Sequence, residues 1–113
     1  QKLISVQPNQ TVSDAVALMQ KYEIEHIPVI DDHQIVGSIS ENGLFQKIFK
    51  EPEVKNASIQ SVVEKAYPMV EYNTPLEKIS SLINKENGAV LSKDEGGSYH
   101  IITKYDIIQS LTK

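Results

Sequence analysis

At 113 residues, 40% of them hydrophobic and 23% charged, the chain suffices for one small domain or two fused half-domains with an ordinary globular core. A net charge of −4 without a Lys/Arg cluster argues against nucleic acid or an anionic membrane as partner, and no run of about 18 apolar residues offers a membrane span. The lack of cysteine excludes a disulfide scaffold, thiol catalysis and thiolate metal sites, and it fits a cytoplasmic location.

No signal peptide is read at the amino end, and the abrupt start at Gln1 fits a cut fragment. A short strand is expected near 3–6. Asn9 and Thr11 then announce a helix over 12–23, whose apolar Val12, Ala15, Leu18 and Met19 share one face. A strand follows near 27–30, then a polar hairpin loop, Asp31-Asp-His-Gln34, and a returning strand near 35–40. The helix over 41–49 carries Phe45, Ile48 and Phe49 as an apolar stripe, suited either to core packing or to an exposed contact between copies. Residues 51–57 (EPEVKNA), polar and broken by Pro52, read as a linker, and Ser58 to Lys65 as an extra amphipathic helix. The second half gives a strand near 69–72, a helix over 75–86 with Pro75 in its first turn, and a strand near 88–91. A Gly-rich loop from Ser92 to Gly97 leads to a strand near 99–103 and a closing helix over 104–112.

The halves repeat each other. Val12 to Met19 aligns with Leu76 to Ile83 at an offset of 64, with apolar matches at 12/76, 15/79, 18/82 and 19/83. Ile35 to Phe45 aligns with Ser98 to Ile108 at an offset of 63, setting Ser40 on Thr103 and Gly43 on Asp106. One half of this size buries little surface alone, whereas two packed together bury a core.

The stretches Ile27-Pro-Val-Ile-Asp31, Ile35-Val-Gly-Ser-Ile-Ser40 and Ile101-Ile-Thr-Lys-Tyr-Asp106 resemble the cystathionine-β-synthase (CBS) repeat, and the chain from Leu3 to Leu111 resembles a tandem pair, a Bateman module. The resemblance implies an α+β (α/β) fold of two β-α-β-β-α repeats packed by their sheets about a pseudo-twofold axis. Residues 1–50 would form the first repeat and 58–113 the second. A narrower likeness, carried by the ending HIITKYDIIQSL, is to the C-terminal regulatory region of cystathionine β-synthase. It implies a parent chain with a pyridoxal-phosphate (PLP) dependent catalytic domain, none of which is present in this sequence.

Thr103 and Asp106 bracket a strand-to-helix corner. The first N–H groups of a helix starting there lack intrahelical partners, and with the dipole they favour an anion. The Thr103 hydroxyl can donate to that anion, while the Asp106 carboxylate can accept two hydrogen bonds from a vicinal diol such as ribose. The same spacing also makes a near capping box, and the two roles are compatible. In the family, Ser/Thr meets phosphate and Asp meets ribose, and the pocket is shared between repeats. Carried over, Leu3, Ile4, Ile27 and Pro28 would supply apolar walls, and His26 would lie near the anionic tail, where its protonation would make binding pH-sensitive. His26 reads equally as a half-exposed strand residue, and Tyr105 as a rim or a surface residue.

The first repeat departs from the pattern. Ser40 can still meet an anion, but Gly43 stands where the ribose-binding acid should be, so this second pocket reads as degenerate. Asn42 lies about 100° round the helix from that position. His100 in place of the usual Gly, and Gly88-Ala89 in place of an x-Pro pair, weaken it further.

His26, His33 and His100 show no metal-ligand spacing, and Asp31-Asp32-His33 reads as turn chemistry rather than catalysis. The resemblance thus implies a regulatory module binding AMP, ATP or S-adenosylmethionine, with few cations near the corner to hold a triphosphate. The alternative is an interaction module with vestigial pockets. An enzyme in its own right ranks last, for want of a nucleophile–base constellation. Expected partners are the adenosine ligand, a second copy in a homodimer, and the parent's catalytic domain.

Overall fold

A computed structural model describes residues 3–84 and 87–112. These form two compact units, Ile4–Ala66 and residues 67–112 with Leu3.

In the first unit, helix α1 (Val12–Tyr22) starts at Thr11, which exchanges hydrogen bonds with Asp14 in a capping box, and ends at Glu23 in the left-handed region. Strands β1 (His26–Asp31) and β2 (Gln34–Ser40) pair antiparallel. The expected hairpin loop narrows to Asp32 and His33, both at positive φ, as a two-residue hairpin turn requires. Helix α2 (Glu41–Lys50) follows directly from β2. Val12, Met19, Ile27, Val29, Ile39 and Leu44 are among the buried residues of the core this frame encloses.

Two expectations for this unit need correction. The strand near 3–6 reduces to one parallel bridge, Val6 with Val29, because a turn at 7–10 draws the chain away after Val6. The helix expected from Ser58 to Lys65 is a single 3-10 turn, Ile59–Ser61, and Glu64 instead bridges antiparallel to Ser38 on the free edge of β2. Eight residues containing adjacent Val62 and Val63 nucleate a helix poorly. Backbone groups lying along a sheet edge find partners there at once. The segment 51–57 also takes form, as a 3-10 helix (Pro52–Asn56), and its end is tied to the start of α1 by bonds from Val12 N–H to Ala57 O and from the Ser13 hydroxyl to Lys55 O. Residues 51–66, read as linker and lead-in to the second repeat, thus group with the first unit.

In the second unit, β3 (Met69–Glu71) runs parallel to β4 (Ala89–Lys93), which pairs antiparallel with β5 (Tyr99–Thr103). Helix α3 (Leu76–Leu82) buries Ile79, and α4 (Lys104–Leu111) follows β5. The repeat inferred from sequence is therefore a repeat of structure, in which a parallel edge element precedes a hairpin that feeds a helix. Helix α3 is shorter than the expected 75–86, Pro75 being its cap rather than its first turn. The Ser80 and Ser81 hydroxyls bond back to Glu77 O and Lys78 O, and Asn84 exchanges hydrogen bonds with Asn87, local bonds that compete with the helix. Lys85 and Glu86 of that expected helix lie outside the described residues, as do Gln1, Lys2 and Lys113 at the ends of the two expected repeats.

Candidate functional site

Thr103 ends β5 in extended backbone and is the N-cap of α4. Its N–H donates to Asp106 Oδ2 at 2.8 Å, and its hydroxyl donates to the same oxygen at 3.2 Å. The two residues thus form a capping box on an open corner, with Asp106 exposed and Thr103 half-buried. Both bonds end on Oδ2. The corner therefore holds a fixed carboxylate beside the first turn of a helix, an arrangement able to accept from hydroxyl groups. Lys104, the nearest cation in sequence, has its amine 5.4 Å from the Tyr105 ring, and Tyr105 itself is 60% exposed.

The corresponding corner of the first unit is built differently. Ser40 ends β2 and caps α2, its Oγ accepting from Gly43 N–H at 3.1 Å. Ser40 N–H and the Ser40 hydroxyl both donate to Glu64 Oε1, at 3.3 and 2.9 Å. Lys47 Nζ lies 3.7 Å from Glu64 Oε2 and donates to Val62 O at 3.3 Å. A Cβ on Gly43 would come within 2.5 Å of Glu64 Oε2. A carboxylate is thus present at this corner too, brought by the segment bridged to β2 instead of by the helix. Sequence reasoning reads Ser40 and Gly43 as remnants of a pocket and misses Glu64. The one available signal is the amphipathic run 58–65, whose spacing suits a helix as well.

The remaining expected site residues divide between the units. Leu3 groups with Thr103 and Asp106, while Ile4, His26, Ile27 and Pro28 belong to the first unit. Leu3 and Ile4 are half-buried. His26 opens β1 opposite Ser40 and is half-buried. Ile27 is fully buried in the core, and Pro28 is buried beside it in β1.

The third histidine has a definite role. His100 Nε2 lies 2.9 Å from Asp94 Oδ2, and its ring sits against Tyr72 with centroids 5.2 Å apart. The His100 hydrogen bond, and then the Ser98 N–H, hold the Asp94 carboxyl below its ordinary 3.8. Asp94 Oδ1 also accepts from Ser98 N–H, so the pair pins the β4–β5 hairpin. Among the described residues no three His, Asp or Glu side chains converge as a metal site would require, and no helix is long and apolar enough to cross a membrane.

Comparison with known proteins fits this geometry. Residues 1–50 match the family model described as CBS domain. An uncharacterized protein of Methanocaldococcus jannaschii is 38% identical over 45 residues, a match taking in 40% of this chain and 24% of that protein. Among solved structures, a CBS domain aligns with a TM-score of 0.87 at 18% identity, over 99% of this chain and 89% of its own. A CBS-domain-containing protein from Agrobacterium tumefaciens gives 0.85 at 15% identity, over 98% and 85%. CBSX2 in complex with AMP gives 0.76 at 24% identity, over 99% and 89%. The first half is thus similar to a CBS domain by sequence, and the whole chain has the fold of CBS-domain structures.

Proposed function

We propose that this chain is a regulatory module that binds an adenosine-containing ligand at the Thr103–Asp106 corner. The observation that carries the reading is the Asp106 carboxylate. It is fixed on the first turn of α4 by two bonds that both end on Oδ2. The other oxygen is thereby available to a ribose diol, while the helix start favours an anionic tail. Likeness of fold to CBSX2, whose structure holds AMP, supports the ligand class. AMP, ATP and S-adenosylmethionine all belong to that class, and the scarcity of cations at the corner favours a ligand of low charge. Leu3, Ile4, His26, Ile27 and Pro28 remain in the proposal as the contacts the CBS resemblance adds. The finer reading is the C-terminal part of a PLP-dependent cystathionine-β-synthase-like enzyme in the cytoplasm. It rests on the ending HIITKYDIIQSL and makes S-adenosylmethionine the ligand. Ligand binding would bias the attached domain only to the extent that the ligand prefers one of its states.

A second reading has its own observation. Phe45 and Phe49 are 65% and 78% exposed on α2 and stack on each other with centroids 6.1 Å apart, while Thr103 and Asp106 already satisfy one another as a cap. On that reading the chain dimerises its parent and binds no nucleotide.

Calorimetric titration with AMP, ADP, ATP, S-adenosylmethionine and S-adenosylhomocysteine separates the two. Hydrogen bonds to a charged group are worth about 1.5–3 kcal/mol each, so Asp106→Ala should weaken the binding of the true ligand by at least tenfold. Unchanged affinity in Asp106→Ala sinks the assigned corner. No binding of any of the five at millimolar concentration leaves the dimerisation reading standing.

A further inference from the structure

The two corners solve one problem with two different carboxylates. At the second, the N-cap N–H and hydroxyl of Thr103 meet the Asp106 carboxylate, which comes from the helix itself, three residues on. At the first, the same two donors of Ser40 meet the Glu64 carboxylate, which comes from a segment 24 residues further along the chain. That segment is held in register on β2 by reciprocal backbone bonds, Ser38 N–H to Glu64 O at 3.0 Å and Glu64 N–H to Ser38 O at 2.8 Å. The space at Gly43 is where the Glu64 head group sits, since a Cβ there would lie 2.5 Å from Oε2 and 2.9 Å from Cδ. An acid at position 43 and the Glu64 head group in its present place compete for the same space.

We propose that Glu64 is an internal occupant of the Ser40 corner and, together with Gly43, is the residue that closes it to external ligands, so that one chain takes one ligand. The Ser40 hydroxyl donates to Glu64 and accepts from Gly43 N–H, so its donor is committed before any ligand arrives. Lys47 balances the charge of the carboxylate from the α2 side. An incoming phosphate must displace a tethered anion held in place by a sheet-edge bridge, and it meets like charge on approach. The glycine is therefore no simple loss of a ribose-binding acid. It is the vacancy that admits a carboxylate from elsewhere in the same unit. Only the count of one ligand rests on the proposed function. The closure of the corner does not.

Moving the carboxylate tests the inference. Thermal melts of the full chain are compared for wild type, Glu64→Ala, Gly43→Asp/Glu64→Ala and Ser40→Ala/Glu64→Ala, each in sodium chloride and in sodium acetate of equal ionic strength. Glu64→Ala should melt several degrees below wild type and recover part of that loss in acetate, which fills the emptied corner. Returning the acid to the helix in Gly43→Asp/Glu64→Ala should restore the midpoint without acetate and abolish the acetate response. The Ser40→Ala/Glu64→Ala pair should not respond. Absence of acetate recovery in a folded Glu64→Ala chain overturns the inference, as does a Gly43→Asp/Glu64→Ala chain that melts no higher than Glu64→Ala alone. Should Glu64→Ala fail to fold, the swap variant decides by itself, since it folds only if a carboxylate from either source suffices. In calorimetry with AMP, wild type should bind one molecule per chain, and two would overturn the closure. A wild type that binds no AMP removes the proposed function and leaves the acetate and swap results to decide this inference.

Discussion

Replacing Gly37 by alanine should destabilise the first unit although it adds only a methyl group. A Cβ on Gly37 would come 2.7 Å from the backbone oxygen of Glu64 and 2.9 Å from Val63 Cγ2. A backbone oxygen cannot swing aside as a side-chain tip can, so the segment carrying Glu64 must lift off β2. The bonds at stake are Ser38 N–H to Glu64 O, Glu64 N–H to Ser38 O, and the Ser38 hydroxyl to Lys65 O at 2.6 Å. At about 1 kcal/mol net for each, their loss costs about 3 kcal/mol, against which the smaller unfolded-state entropy of alanine returns less than about 1 kcal/mol. The net of about 2 kcal/mol corresponds to a melting point lower by about 8 °C in a chain of this size. Gly96→Ala is the control, because its new Cβ meets only Asp94 Oδ1 at 3.4 Å, and it should stay within about 0.5 kcal/mol of wild type. Differential scanning calorimetry reads both. A Gly37→Ala protein melting within about 2 °C of wild type would refute the claim that the Glu64 segment is seated on β2.

Two further outcomes follow from the same coordinates. The Asp94 carboxyl is depressed chiefly by its hydrogen bond with His100, so its contribution to stability is complete above the unfolded value of 3.8 and disappears as pH falls through the lower folded value. Between about pH 5 and 3 the urea midpoint of wild type should therefore fall more steeply than that of Asp94→Asn, and equal slopes would remove the hairpin pin. If the exposed Phe45 and Phe49 join two copies, sedimentation of Phe45→Ser/Phe49→Ser should shift from dimer to monomer mass, and an unchanged mass would exclude this face as the contact.

The two corners also mark where a sequence can and cannot be read. Local order is legible wherever a signal and its consequence lie within one helical turn or one hairpin. Thr11 before its helix, the polar run Asp31 to Gln34 between its strands, and Thr103 with Asp106 each declare a cap or turn by spacing alone. The repeat is legible for a related reason, since two copies of one pattern raise each weak signal above chance. Glu64 escapes because its function depends on a partner 24 residues earlier, and the alternation that would mark its segment as an edge strand is only a few residues long. Ile59 and Val62, both buried and three apart, satisfy a helix and a 3-10 turn equally well. What decides between them is the unpaired edge of β2, a property of the folded sheet and not of residues 58–65. Gly43 carries the same hidden information. An absent side chain reads as an absent function until the space it leaves is seen to be filled, and here the filling atom belongs to a carboxylate held by the N–H and hydroxyl of Ser40, the residue that caps the helix.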